Sequence, residues 1–338
     1  MKVKLKRLSE QTIVITGGSS GIGLVTARMA AKHGARVVLT SRDELDLEEA
    51  TESIRAAGGT ATYVAADVAE DEAMRRVAAT ALREFGTLDT WVNNAGVSIY
   101  GRLEDVGMVD ARRLFDTNYW GLVHGTLAAL PHLKRHGGAL INVGSVLSDT
   151  GYPLQGHYSA SKHAVKGFTD SLRLELEHEG SPVSVTLIQP AAIDTPYPEH
   201  AKNYLGVEPT QQAPVYAPEV VARAILHSAE HSERNVLVGG GAKVLNTVER
   251  FAPRLGDRFK RATAFDGQRS QRAVSEQDTL FVPRPGDAHA RGRYEGHVMQ
   301  SSAYTTARLH PGQALLGLAI AGAAAVLLDR AGVFRNGN

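Results

Sequence analysis

Tyr158 and Lys162 stand four residues apart in the stretch Tyr158-Ser-Ala-Ser-Lys162, a spacing that sets both on one face of a helix. A phenol with an ordinary pKa near 10 moves protons poorly at neutral pH, and a neighbouring ammonium stabilises its phenolate. The pair therefore reads as a proton donor or acceptor. Ordinary helix surfaces carry the same spacing, so these two residues need a setting before they make a site.

Elements that could supply that setting lie upstream. The apolar run Ile13-Val14-Ile15 leads directly into Thr16-Gly-Gly-Ser-Ser-Gly-Ile-Gly23 and then into Leu24-Val-Thr-Ala-Arg-Met-Ala-Ala-Lys-His33, which reads as strand, glycine turn and helix. Glycines let such a turn approach a pyrophosphate, and the helix N-terminus offers free N–H groups and a partial positive charge. A plain glycine-rich turn is the competing reading, and the strand-before, helix-after context favours the phosphate cradle. Trp91-Val-Asn-Asn-Ala-Gly96 closes another short apolar strand on small residues. Asn93 and Asn94 either tie neighbouring strands together or cap a turn. Ala139-Leu-Ile-Asn-Val-Gly-Ser145 is a buried-type strand ending in a serine, thirteen residues before Tyr158. A serine at the carboxyl end of a parallel strand points into the crevice where such sheets bind ligands.

In their order and separations, Thr16-Gly-x3-Gly-x-Gly23, Asn93-Asn-Ala-Gly96, Asn118, Ser145 and Tyr158-x3-Lys162 resemble the short-chain dehydrogenase/reductase family over roughly residues 10 to 245. The resemblance implies an oxidoreductase in which Tyr158 exchanges a proton with the substrate oxygen as hydride moves to or from a nicotinamide. Lys162 would lower the tyrosine pKa and hold the nicotinamide ribose, and Ser145 would donate a hydrogen bond to the substrate oxygen. Asn118, inside the helical stretch 109–121, suggests a local irregularity and a water relay to Lys162. Cofactor contacts implied in the same way are Gly17, Ser19, Ser20, Gly21, Ile22 and Gly23 in the first turn and Asp67 and Val68 at the adenine edge. Asn94, Ala95 and Gly96 complete them in the middle of the sheet, and Pro190, Ile193 and Thr195 after the sixth strand. Ala191 departs from the family, which often has glycine there, and stiffens that turn.

Selection between nucleotides turns on the end of the second strand. An acid there marks NAD, because it accepts hydrogen bonds from free ribose hydroxyls and repels a 2′-phosphate. Here Ser41 leaves room and Arg42 can pair with the phosphate, so the expectation is NADP(H), with NAD(H) as the alternative if Asp43 is the ribose acid.

With 43% hydrophobic residues among 338, the chain can bury a full core. Its short apolar runs alternate with helical stretches, which predicts an α/β fold: a Rossmann-type, doubly wound parallel sheet of about seven strands in three α/β/α layers, followed by a C-terminal extension. The expected strands are 12–16, 36–40, 62–65, 90–93, 139–143, 184–189 and 235–238. A formal charge of +1 gives no field that favours nucleic acid. Zero cysteines exclude disulfides and thiolate metal sites, and thirteen histidines carry no metal-ligand spacing, so no metal is expected. The basic start is followed by too short an apolar run for a signal peptide, and the expected location is the cytoplasm.

Residues 1–250 read as the catalytic dinucleotide-binding domain. Residues 251–311 mix charge, Gly and Pro without strong periodicity and are expected to be irregular or draped over the core. Residues 312–330 contain the charge-free apolar block 312–328, which predicts a helix covered by lipid or by protein and hence a membrane contact or a subunit contact in a homo-oligomer. The expected substrate lid is 193–205, mixed aromatic and polar, beside a small-molecule carbonyl or alcohol. A binding module of regulatory or scaffolding role without turnover is the alternative function, disfavoured by a complete Asn118, Ser145, Tyr158, Lys162 set.

Overall fold

The computed structural model describes residues 3–274, 277–284, 286 and 288–312. Seven strands form one parallel sheet: β1 (Thr12–Thr16), β2 (Arg36–Ser41), β3 (Thr60–Ala65), β4 (Thr90–Asn93), β5 (Gly138–Val143), β6 (Val183–Pro190) and β7 (Asn235–Val238). Their order is β7-β6-β5-β4-β1-β2-β3, so the winding reverses between β1 and β4. That reversal opens a crevice at the strands' carboxyl ends, where such sheets bind ligands. All five residues of β1 and all eight of β6 are buried, as continuous apolar runs in doubly covered parallel strands should be.

Helices α1 (Gly21–Lys32), α2 (Glu44–Ala56), α3 (Asp71–Phe85), α4 (Met108–Phe115), α5 (Gly121–His136), α6 (Gly156–His178), the short α7 (Tyr197–His200) and α8 (Pro218–Glu230) follow the strands. One face of the sheet packs Ala27 and Ala30 of α1, Leu47 and Ile54 of α2, and Val221 and Ile225 of α8. The opposite face packs Met74 and Val77 of α3, Leu133 of α5, and Leu172 and Leu176 of α6. The result is the expected three-layer architecture.

The extension differs from the sequence reading. Helix α9 (Gly240–Phe251) closes residues 1–250, and the expected irregular course of 251–311 is replaced first by α10 (Pro253–Gly267). Pro253 supplies the fixed φ of a first helical position, and Lys260, almost fully buried, joins α10 to Glu249 of α9 at 2.8 Å and to Thr150 at 3.0 Å. Beyond α10 the chain returns across the sheet's carboxyl edge and reaches α11 (Ala303–Leu309), the last helix among the described residues. Met299 pairs with Tyr216, which pairs with Ile193, so extension and lid share hydrogen bonds. The apolar block 312–328 lies outside the described residues beyond Gly312. Among those described, no helix is long and apolar enough to cross a membrane.

Candidate active site

At the first β–α turn, Gly17 takes a positive φ of 63°. A Cβ on Gly23 would lie 2.0 Å from the Gly17 carbonyl oxygen, so any larger residue would push helix and strand apart. Ser20 stands at the N-cap of α1 in extended conformation and makes no side-chain cap. The helix N-terminus is thus left to other acceptors, which suits a phosphate. One acceptor is already present: the carbonyl of His289, from the extension, accepts from Gly21 N–H at 2.9 Å.

Both asparagines tie strands. Asn93 Nδ2 donates to Asn142 of β5 at 2.9 Å, and Asn94 Nδ2 donates to the carbonyls of Thr16 and Gly17 at 3.0 and 3.1 Å. These side chains lock the ends of β1, β4 and β5 and leave Gly96 lining the crevice, while Ala95 packs against the core.

Ser145 follows β5 after Gly144 and caps a short turn, accepting from Leu147 N–H at 3.1 Å. Tyr158 and Lys162 lie in the first two turns of α6, with the ammonium 5.7 Å from the phenol ring centre. The Tyr158 hydroxyl lies within hydrogen-bonding reach of Ser145 and of Tyr197. Lys162 Nζ donates to the Val143 carbonyl at 2.9 Å. Burial dominates and raises the Tyr158 pKa, and the hydrogen bonds from Tyr197 and Ser145 pull it back. The same burial draws the Lys162 ammonium down to about 8.

The expected helix irregularity is present as a π-helical turn, Asp116–Trp120, between α4 and α5. Such wide turns recur at functional sites. Asn118 sits in it, but its side chain is spent on the protein: Oδ1 accepts from Val97 N–H at 2.8 Å, and Nδ2 donates to Val97 O at 2.9 Å and to Ser161 at 3.1 Å. The side chain thus clamps the loop after β4 to α6. Asn118→Ala leaves both buried Val97 groups unpaired, and unfolding in urea should show a loss of about 1–3 kcal/mol or more. An unchanged midpoint would contradict the clamp.

Ile22, Asn94, Gly96, Pro190, Ile193 and Thr195 line the same cavity as Ser145, Tyr158 and Lys162. Ser41, Arg42, Asp67 and Val68 lie outside it, toward β2 and β3. Asp43 caps α2, one of its carboxylate oxygens accepting from Asp46 N–H at 2.9 Å. Asp67 is occupied as well, by Arg113 at 2.5 Å and by Ala69 N–H at 3.0 Å. Arg42 is clasped by the extension, donating to the carbonyls of Leu280 at 3.2 Å, Phe281 at 3.1 Å and Thr279. Arg113 Nε also donates to Leu280 O, at 3.1 Å.

Residues 11–204 match the short chain dehydrogenase family. The chain belongs to that family. An uncharacterized oxidoreductase of Bacillus subtilis, YxnA, is 47% identical over 315 residues, covering 92% of this chain and 88% of its own length. An 11-beta-hydroxysteroid dehydrogenase A of Sesamum indicum is 34% identical over 254 residues, covering 72% of each chain. Among solved structures, a short-chain dehydrogenase/reductase of Burkholderia phymatum in complex with NAD superposes with a TM-score of 0.65 at 24% identity, covering 79% of this chain and 97% of that one. An alcohol dehydrogenase of Thermococcus sibiricus complexed with 5-hydroxy-NADP gives 0.60 at 24% identity, covering 68% and 95%. The family places this chain among the oxidoreductases.

Three features of this short-chain dehydrogenase escaped the sequence reading. Tyr197 of the lid packs edge-on against Tyr158, ring centres 5.5 Å apart, and its own pKa is raised well above 10 by burial. Arg113 closes the Asp67 corner. Helices α9 and α10 wall the cavity. A signal for these helices exists in the spacing of Val244, Val248 and Phe251, and of Leu255 and Phe259, each set broken by the Ala252-Pro253 step. Nothing local marks Tyr197 or Arg113, because their partners lie far away in sequence.

Proposed function

We propose that the chain transfers hydride between NADP(H) and a carbonyl or secondary alcohol, with Tyr158 as general acid and base. The observation that carries this reading is the meeting of Ser145, Tyr158 and Lys162 at the carboxyl end of β5, in the cavity that Asn94, Gly96 and Thr195 also line. Two features support a dinucleotide in the groove, although the extension already holds Gly21 N–H and Arg42 at its phosphate end. A helix N-terminus without a side-chain cap stands at the switch point, and a Cβ on Gly96 would stand 3.4 Å from Asn118 Oδ1 and 3.7 Å from Lys162 Nζ, filling space that a planar ring needs. When bound, the nicotinamide supplies or accepts the hydride. The chain's own part is the proton. In reduction the carbonyl carbon takes the hydride, its oxygen takes the Tyr158 proton, and Ser145 donates to the charge that develops there. Oxidation reverses each transfer.

The preference for NADP(H) rests on Arg42. Three of its five N–H groups are used on the carbonyls of 279–281, which fixes the guanidinium at the end of β2 with its remaining donors for a 2′-phosphate. Arg42→Ala should weaken NADPH by about 1.5–3 kcal/mol, on the order of 10–100-fold, and NADH far less. Titrating both nucleotides against both proteins decides it, and a wild type that binds NADH more tightly would reverse the assignment. The function itself is tested by following nicotinamide absorbance with ketones, aldehydes and quinones. No turnover with either nucleotide would leave a binding module.

A further inference from the structure

The cavity above Tyr158 has a polar floor and apolar walls. Its volume is about 1210 Å³, a space that the nicotinamide end of the cofactor would share with the substrate. Among its described lining residues, Lys162 is the single Lys, Arg, His, Asp or Glu, and it stands at the catalytic end. A carboxylate or phosphate on the far part of a substrate would lose its water there and find no countercharge.

Neutral polar groups in the walls are already engaged with one another. Gln155 Nε2 donates to Gln268 Oε1 at 2.6 Å, and Gln268 Nε2 donates to the carbonyls of Ala264 and Pro153 at 2.8 and 2.9 Å. Gln212 Nε2 donates to Thr263 O at 2.8 Å, and the Tyr152 hydroxyl donates to Gln212 Oε1. This network holds residues 152–155 and Gln212 against the end of α10 and uses much of the hydrogen-bonding capacity of those glutamines.

Beside Thr210, Gln211, Tyr197 and Tyr294, most of what remains to meet a ligand is hydrocarbon. Leu147, Val244, Leu245, Val248, Leu255 and Phe259 line the walls, five of them from α9 and α10. Val244, Leu255 and Phe259 are 64%, 60% and 61% exposed, although they belong to the cavity. An apolar body extending from the catalytic floor toward the mouth would cover them, with a gain of roughly 25 cal/mol per Å² buried.

Resting on the hydride-transfer reading above, we infer that the substrate is an uncharged lipophilic ketone or secondary alcohol. Its reacting oxygen sits at Ser145 and Tyr158, and a long or polycyclic hydrocarbon body lies along α9 and α10. Substrate choice is thereby assigned to helices beyond the region that matches the family, 11–204.

Methyl ketones from butanone to tridecanone, reduced with NADPH by the full chain, provide the test. kcat/KM should climb by about fourfold per added methylene over the middle of the series. A keto acid of the longest chain, with its carboxylate at the far end, should lose most of that gain. Phe259→Ser and Leu255→Ser should each lower the long-to-short ratio of kcat/KM by about tenfold. A flat series, or a keto acid as good as its parent ketone, overturns the inference while leaving hydride transfer intact. Displacement of the apolar dye N-phenyl-naphthylamine by the same ketones reads affinity without chemistry. Should no ketone be reduced, steep chain-length dependence in displacement still supports the apolar site while the hydride reading falls, and flat displacement removes both.

Discussion

Tyr158→Phe should cut carbonyl reduction by about 10²–10⁴-fold, the usual contribution of a positioned acid, while NADPH binding stays near wild type. The substitution keeps the ring that packs edge-on against Tyr197 and deletes the one proton that the substrate oxygen would receive. Because the hydroxyl is buried and lies beside Ser145 and Tyr197, water cannot readily substitute for it. Stopped-flow reduction of a ketone with saturating NADPH measures the loss, and nucleotide fluorescence titration checks that the site is intact. Substantial reduction by the phenylalanine variant would remove Tyr158 from the mechanism. Equal loss of nucleotide binding would make the tyrosine structural.

Lys162→Met should lose activity on a similar scale and also weaken NADPH by about 1.5–3 kcal/mol, the worth of a hydrogen bond to a charged group. The pH dependence separates a working ammonium from a packing role. The folded amine holds its proton only to about 8, against an ordinary 10.5, because burial disfavours the charge. Reduction needs the Tyr158 proton, which burial retains, and in the proposed mechanism a charged Lys162 to hold the nicotinamide ribose, so the wild-type rate should fall as pH rises through about 8, where the ammonium is lost. That inflection should vanish from the residual activity of Lys162→Met. Stability moves the other way. Between pH 8 and 10.5 the unfolded chain binds a proton that the folded chain has released, so the wild type gains stability with rising pH across this window relative to Lys162→Met. The gain is complete above the unfolded pKa and is lost as pH falls through the folded one. Parallel stability curves for the two proteins, with an unshifted rate profile, would show that Lys162 stays charged and far from the proton path.

Clustered residues made much of this protein readable in advance. Strand β1, the glycine turn and α1 lie within about twenty consecutive positions, and their apolar run, glycines and helix formers each have a local physical cause. Strands β1, β4 and β7 occupy the residues expected of them, and the other four agree within two residues at either end, because strands buried on both faces leave uninterrupted apolar runs. Helical spacing likewise suffices to put Tyr158 and Lys162 on one face of α6. Asn118 was legible as an irregularity but not as a clamp, since its hydrogen bonds reach Val97 and Ser161 across the fold.

The order of the strands, and therefore the crevice that gathers Ser145, Asn94 and Thr195, comes from residues far apart in sequence packing on two faces of one sheet. Arg42 shows the limit most clearly. Its charge and position at the end of β2 follow from sequence, but its partners are carbonyls of Thr279, Leu280 and Phe281 more than two hundred residues away, and backbone carbonyls carry no residue-type signature. The tyrosine pKa is a second case: spacing shows only the neighbouring Lys162, whereas the burial that raises the pKa is contributed by the whole surrounding fold. Local chemistry was written in residue types and intervals. Desolvation, the clasp on Arg42 and the apolar walls from α9 and α10 arise only when distant segments exclude water together.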